Sequence, residues 1–140
     1  VGDLDRYIRY PSNWSAIERN FEKIRTVDNA NIEIHCTVQM YNILYIDKLI
    51  EWALPYGHKI YFNILNHPEY LNIRCLPIQL KNLAQLRLQQ YRELPKVEGI
   101  INYMWKEDWS NKLPEFTKYT QELDTSRDQK LADVAPELVV

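Results

Sequence analysis

The alternation of hydrophobic and polar residues is clearest between Asn31 and Asn42, where the chain reads NIEIHCTVQMYN. A period of two is typical of a β-strand, because successive side chains point to opposite faces. The apolar face carries Ile32, Ile34, Cys36 and Val38, and the polar face carries Glu33, His35, Thr37 and Gln39. The segment KIYFNIL, Lys59 to Leu65, alternates in the same way. The pattern therefore predicts two strands, the first with an unusually polar face.

Between these strands the apolar residues recur at helical spacing. They are Ile46, Leu49, Ile50, Ala53 and Leu54. We predict that Asn42 caps this helix and that Pro55 and Gly57 end it. A strand, a helix and a second strand in this order are typical of a parallel pair joined by a right-handed crossover.

Other segments with helical periodicity flank this unit. We expect a loop over residues 1–13, then a helix that Ser12 or Ser15 caps. Its apolar stripe is Trp14, Ile17, Phe21 and Ile24. Residues 66–76 are predicted to be a loop with a short extended piece, because Leu71, Ile73 and Cys75 alternate after Pro68.

The C-terminal part of the chain is predicted to be helical. We expect helices over residues 77–94 and 96–108, the second burying Trp105, and a last helix from about Leu113. This last helix is expected to be interrupted between Asp124 and Arg127, which are predicted to form an ion pair.

Together these elements predict an α/β fold, with two or three parallel strands followed by C-terminal helices. We predict two parts, residues 1–95, which contain the strands, and a helical C-terminal extension over residues 96–140. Parallel strands need neighbours on both edges and cover on both faces. We therefore expect that the sheet is completed by a further part of a larger α/β protein or by another chain.

Composition and charge narrow the function. A chain of 140 residues has the size of one ordinary domain. Its net charge is -2, with acidic and basic residues interspersed, which argues against nucleic acid and an anionic membrane as partners. Its apolar runs are too short to cross a membrane.

The metal-binding residue types are sparse. The cysteines, Cys36 and Cys75, are too far apart for a CxxC motif, and the histidines, His35, His58 and His67, lack HExxH spacing. We predict buried free thiols, no metal site, and a reducing, cytoplasmic location.

The ordered series of segments resembles a known family. The opening GDLDRYIRYPSNW and the following IERN resemble the stretch after the fourth barrel strand of radical S-adenosylmethionine (radical SAM) enzymes with a short twitch-type C-terminal extension. IEIHCTVQMYN and its helix resemble the fifth strand and helix, and KIYFNILNHPEYLNIRCLP resembles the sixth strand and its exit. PIQLKNLA and FTKYTQELDTSRDQKLADVAPEL are similar to the end of the same subgroup.

This resemblance implies the C-terminal part of a partial (β/α)6 TIM-like barrel. The complete protein would bind a 4Fe-4S cluster and SAM and cleave SAM reductively to a 5'-deoxyadenosyl radical. The family's CxxxCxxC cluster motif does not occur in this sequence. The cluster is then not ligated by this chain, and the isolated chain is expected to be inactive. The partner that the resemblance implies is the missing N-terminal half of the same barrel.

The candidates for the SAM pocket are Arg9, Thr37, Gln39 and Asn63. The SAM carboxylate calls for a cation and its ribose for hydrogen-bond partners. Arg9 resembles the family arginine near the carboxylate, while the simpler interpretation is a solvated arginine. Thr37 and Gln39 end the first strand, where barrel active sites collect, and Asn63 has the matching position on the second. For each of these strand residues, an ordinary structural role is an equally good interpretation. His35, farther from the carboxyl end of the same polar face, is predicted to be an interior group with its hydrogen bonds satisfied.

The leading hypothesis is the C-terminal half of a radical SAM enzyme, which contributes part of the SAM pocket and the substrate side. No catalytic residue is assigned, and the substrate is open. The alternative is a non-catalytic α/β interaction module that pairs its exposed strand edge with a partner. A phosphate-binding barrel enzyme is a weaker hypothesis, because the chain has 3 glycines and no glycine-rich loop.

Overall fold

The computed structural model describes residues 1–57 and 59–139, so His58 lies outside the described residues. The fold is α/β and mostly helical, as predicted. The helices are α1 (Gly2–Ile8), α2 (Trp14–Ile24), α3 (Ile46–Ala53), α4 (Ile78–Leu88), α5 (Val97–Lys106), α6 (Leu113–Arg127) and α7 (Leu131–Val134), and the strands are β1 (Glu33–Val38) and β2 (Lys59–Ile64).

The two strands pair in parallel, which confirms the sequence prediction. Their register runs from Glu33 opposite Lys59 to Val38 opposite Ile64, and α3 connects them. Within the described residues the sheet contains β1 and β2 alone. Among the described residues, each strand therefore has one outer edge without a neighbouring strand.

The N-terminal segment differs from the predicted loop, since residues 2–8 form α1. Leu4 and Tyr7 lie one turn apart and are both buried, and acidic residues in the first turn favour the helix dipole. The following helix, α2, is capped by Asn13, whose side chain accepts a hydrogen bond from the Ala16 N–H. The predicted serine caps are wrong, and Ser12 instead donates to the Asp5 carboxylate.

The segment after β2 is more compact than the predicted extended piece. It forms two short 3-10 helices, Glu69–Leu71 and Ile73–Cys75. Between them Asn72 is fully buried, donates to the Leu65 carbonyl and accepts from the Arg74 N–H. The prediction failed because these buried side chains are placed by tight turns, whose spacing resembles strand alternation.

The C-terminal helices follow the predicted order with corrected details. The predicted helix over 77–94 ends as α4 at Leu88, and Trp105 is 38% exposed instead of buried. The last helix, α6, continues without interruption to Arg127. The break comes one residue later, at Asp128, which adopts a left-handed conformation with φ 49°.

The predicted ion pair between Asp124 and Arg127 does not form, because both residues bind α1. The Asp124 carboxylate accepts from the Tyr7 hydroxyl at 2.7 Å and from the Leu131 N–H at 3.2 Å. Arg127 donates to the Tyr7 carbonyl at 3.0 Å. These bonds attach the end of the chain to its beginning.

The buried apolar side chains of residues 1–95 and 96–140 form one cluster. Among its members are Tyr7, Val38, Ile50, Met104, Phe116 and Leu138. None of the helices in the described part of the chain is long and apolar enough to cross a membrane.

The contact between α1 and α6 yields a stability prediction. We expect Asp124→Ala to lower the free energy of unfolding by about 1–3 kcal/mol, because the buried Tyr7 hydroxyl loses its acceptor. Glu122→Ala changes an exposed residue of the same helix and is expected to stay within about 0.5 kcal/mol of the unchanged chain. Urea unfolding measures both, and equal effects of the two substitutions contradict the prediction.

Candidate functional site

The outer edge of β1 is the first feature of the site. The Leu65 N–H donates to the Val38 carbonyl at 2.9 Å, so the backbone groups of Val38 face β2. Backbone groups alternate sides along a strand, and those of Ile34 and Cys36 therefore face β2 as well. The backbone groups of Glu33, His35 and Thr37 face the opposite way, towards the outer edge.

A cleft of about 370 Å³ lies beside this edge, between β1 and the helices α1, α2 and α3. Its apolar side includes Trp14, Ile17 and Phe21 of α2, together with Ile34 and Cys36 of β1. Trp14 and Phe21 both pack against Trp52 of α3, with ring centroids 5.1 and 4.9 Å apart. These aromatic contacts attach α2 to α3, although no residue of α2 is buried.

The cleft brings together Arg9, Thr37 and Gln39 among the predicted site residues. Asn63 does not line it. Because Asn63 is opposite Thr37 in the parallel register, the two side chains project from the same face of the sheet. Arg9 has a side chain that is 66% exposed, and its Nε lies 3.8 Å from the Asp5 carboxylate. The guanidinium is therefore a solvated cation at the rim of the cleft.

Asn42 precedes the helix as predicted, at the N-cap position of a short 3-10 helix, Ile43–Tyr45, that leads into α3. Its side chain, however, makes no cap bond there. Its Nδ2 donates to the Thr37 carbonyl at 2.8 Å, and its Oδ1 accepts from the Gln39 N–H at 2.9 Å. The Asn42 side chain thus binds the outer edge of the chain at the end of β1.

The polar face of the sheet is exposed, in contrast to the interior position predicted for His35. The His35 ring stacks on Tyr61 with centroids 5.0 Å apart, and its Nε2 lies 3.5 Å from the Glu33 carboxylate. The His35 side chain is 62% exposed. Within the described residues this face has no covering element.

The cysteines do not provide a cluster site. Both are free, Cys75 being buried as predicted and Cys36 half-buried in the cleft wall. Burial raises the pKa of each thiol to about 11, so both are protonated at neutral pH. A 4Fe-4S cluster needs closely spaced thiolates, and these residues do not fit it. In the part of the chain that the structure describes, no group of His, Cys, Asp and Glu could hold a metal ion.

A polar cluster that the sequence analysis missed supports the cleft. Tyr45 lines the cleft and donates its hydroxyl hydrogen to Glu137, which also accepts from Arg87 at 2.8 Å. Arg87 donates further to the Leu44 carbonyl at 2.7 Å. The bonds from Tyr45 and Arg87 hold the pKa of Glu137 below its ordinary value. Tyr45 and Glu137 are 92 positions apart, so no local pattern indicates this contact.

The lowered pKa of Glu137 predicts a pH dependence. A carboxylate with a depressed folded pKa stabilises the protein above its unfolded pKa, and this contribution is lost as the pH falls through the folded value. We expect Glu137→Gln to lower the free energy of unfolding by about 1–2 kcal/mol at pH 7, and the difference to shrink below about pH 4. Glu98→Gln, at an exposed position of α5, is the control. Denaturant unfolding at several pH values checks this, and a difference that stays constant with pH contradicts it.

Comparison of the chain with protein-family models, with curated proteins and with solved structures found no match. The features that bear on function are therefore the cleft, the open sheet edge and the sequence segments described above.

Proposed function

We propose that this chain is the C-terminal half of a radical SAM enzyme, and that it contributes part of the SAM pocket and the substrate side of the active site. The observation that carries this proposal is that Arg9, Thr37 and Gln39 line one cleft at the carboxyl end of β1. The ordered resemblance of the sequence segments supports the same conclusion. In this proposal β1 and β2 are two strands of a partial (β/α)6 barrel.

The groups at the rim of the cleft suit the polar parts of SAM. Arg9 is the cation for the methionyl carboxylate, because its guanidinium is exposed and its ion pair with Asp5 is long. Asp5 also accepts a hydrogen bond from Ser12 at 2.5 Å, so the Asp5 carboxylate holds Arg9 only weakly. Thr37 and Gln39 offer a hydroxyl and an amide for the ribose. Trp14, Ile17 and Ile34 supply apolar surface in the same cleft.

The proposal assigns the cluster to another part of the complete protein. A reduced 4Fe-4S cluster held by that other part would supply the one electron for cleavage of bound SAM to methionine and a 5'-deoxyadenosyl radical. This chain binds and orients SAM through Arg9, Thr37 and Gln39. The uncovered polar face, with Asn63 beside Thr37, then forms the substrate side.

The second candidate function is a non-catalytic interaction module. It is favoured by the outer edge of β1 and by α2, an amphipathic helix without a single buried residue. An edge of this kind pairs readily with another strand. Both functions require a partner segment, and they differ in whether the completed site cleaves SAM.

The decisive experiment uses the complete reading frame. The DNA upstream of Val1 is expected to encode a CxxxCxxC segment within about one further domain's length. The complete protein, reconstituted with iron and sulfide and then reduced, is expected to form 5'-deoxyadenosine from SAM. A folded, reconstituted protein that forms none contradicts the proposal and favours the interaction module.

Arg9 provides a matched test of the SAM pocket in that complete protein. We expect Arg9→Gln to raise the KM for SAM about tenfold, because a charged hydrogen bond to the carboxylate is lost. Arg6→Gln removes an exposed arginine of α1, three residues before Arg9, that does not line the cleft, and it is expected to leave the KM unchanged. Initial rates of 5'-deoxyadenosine formation give both values. If the two variants behave alike, Arg9 does not bind SAM.

A further inference from the structure

We propose that the outer edge of β1 is a docking site for one parallel polypeptide strand, and that Asn42 determines where its pairing ends. The occupant is an extended strand, alternating between apolar and polar residues, from the polypeptide that completes the sheet. This inference deepens the proposed function by defining how the partner binds. It rests on the geometry of the sheet edge and not on SAM chemistry.

The edge presents backbone groups that are ready for pairing. The carbonyl of Glu33, both backbone groups of His35 and the N–H of Thr37 point towards the cleft. In the described part of the chain no residue forms a backbone hydrogen bond to them outside the sheet. Unpaired groups in this arrangement are the template to which an incoming strand binds.

Asn42 occupies the next position along the same edge. In a parallel ladder, one residue of the neighbouring strand donates to a carbonyl and accepts from the N–H two residues later. The Asn42 amide makes this pair of bonds with Thr37 and Gln39, at 2.8 and 2.9 Å. A docked strand can therefore pair beside His35, and it must turn away beyond Thr37.

The walls of the cleft define the chemistry of the strand. On one side Trp14, Ile17 and Phe21 of α2 form an apolar stripe that is only half-buried. On the other side the polar face of the sheet, with His35, is exposed. A strand between them buries apolar side chains against α2 and directs polar side chains to the open face, which requires alternation.

The direction of the strand follows from the helices. The helix α2 leads into β1 and packs on α3, which leads into β2, and the two strands are parallel. A third strand beside β1, covered by α2, is expected to follow the same parallel arrangement. A second copy of the chain fits poorly, because a two-fold axis at this edge would pair β1 with β1 in antiparallel orientation. The cleft of about 370 Å³ also admits a short extended segment more readily than an edge with its own helices.

The test supplies a strand and measures the edge directly. A short alternating Thr-Val peptide is fused ahead of Val1, which lines the cleft, through a flexible linker. The control fusion carries proline at every second position and cannot donate to the carbonyls of Glu33 and His35. Amide hydrogen exchange is followed by NMR in both proteins and in the unfused chain.

We expect the His35 and Thr37 amides to exchange about tenfold more slowly in the alternating fusion than in the proline control. The amides of Ile34 and Cys36, which face β2, are expected to be slow in every form. Equal exchange of His35 and Thr37 in the two fusions overturns the proposal. Slow exchange of these amides in the unfused chain, together with a dimeric mass in sedimentation, identifies a second copy as the occupant and overturns it too.

The role of Asn42 has its own readout in the unfused chain. We expect Asn42→Ala to make the Gln39 amide exchange about tenfold faster, whereas Asn42→Asp keeps the acceptor and preserves most of its protection. Asn13→Ala, which also loses one side-chain bond to a backbone N–H, is expected to leave Gln39 unchanged. Two outcomes would show that Asn42 does not close the edge. One is a folded Asn42→Ala in which the Gln39 amide is still protected. The other is a folded Asn42→Asp in which the Gln39 amide exchanges as fast as in Asn42→Ala.

Discussion

The outer edge of β1, which has no neighbouring strand in the described residues, determines how the cleft side of this molecule packs. Parallel strands are stable in sheets with neighbours on both sides, and this sheet has two strands in the described residues. The consequences are local to that edge. Ile50 and Met104 are fully buried, whereas Ile34 and Cys36 of β1 are half-buried and α2 has no buried residue. The cleft is the space that this incomplete packing leaves.

The C-terminal segment holds the components of the cleft in place. Asp124 binds the Tyr7 hydroxyl, and Arg9 follows Tyr7 by two residues. Glu137 binds Tyr45 at the cleft and Arg87 beside it. These contacts attach α1 and the segment before α3, two walls of the cleft, to the C-terminal part of the chain.

The strands and their parallel pairing were predictable from sequence, because a period of two is a strong and local signal. The helix α1 was not predicted, since its 7 residues contain a single apolar set at helical spacing, Leu4, Tyr7 and Ile8. The position of Asn42 before the helix was predictable, because an asparagine there is a common cap. Its side-chain partners were not, because they lie at the end of the preceding strand and not in the helix. The grouping of Arg9 with Thr37 and Gln39 was anticipated only through the resemblance. The cluster of Tyr45, Arg87 and Glu137 could not be predicted, because its members are distant in sequence.

We propose that this chain holds one half of a SAM site, which a strand at the β1 edge completes. Calorimetric titration of SAM into the chain alone and into the complete protein tests this proposal. We expect measurable binding to the complete protein, binding at least about tenfold weaker to the chain alone, and a loss of affinity in the complete protein with Arg9→Gln. Equal affinity in both forms, or a complete protein that folds and does not bind SAM, would contradict it.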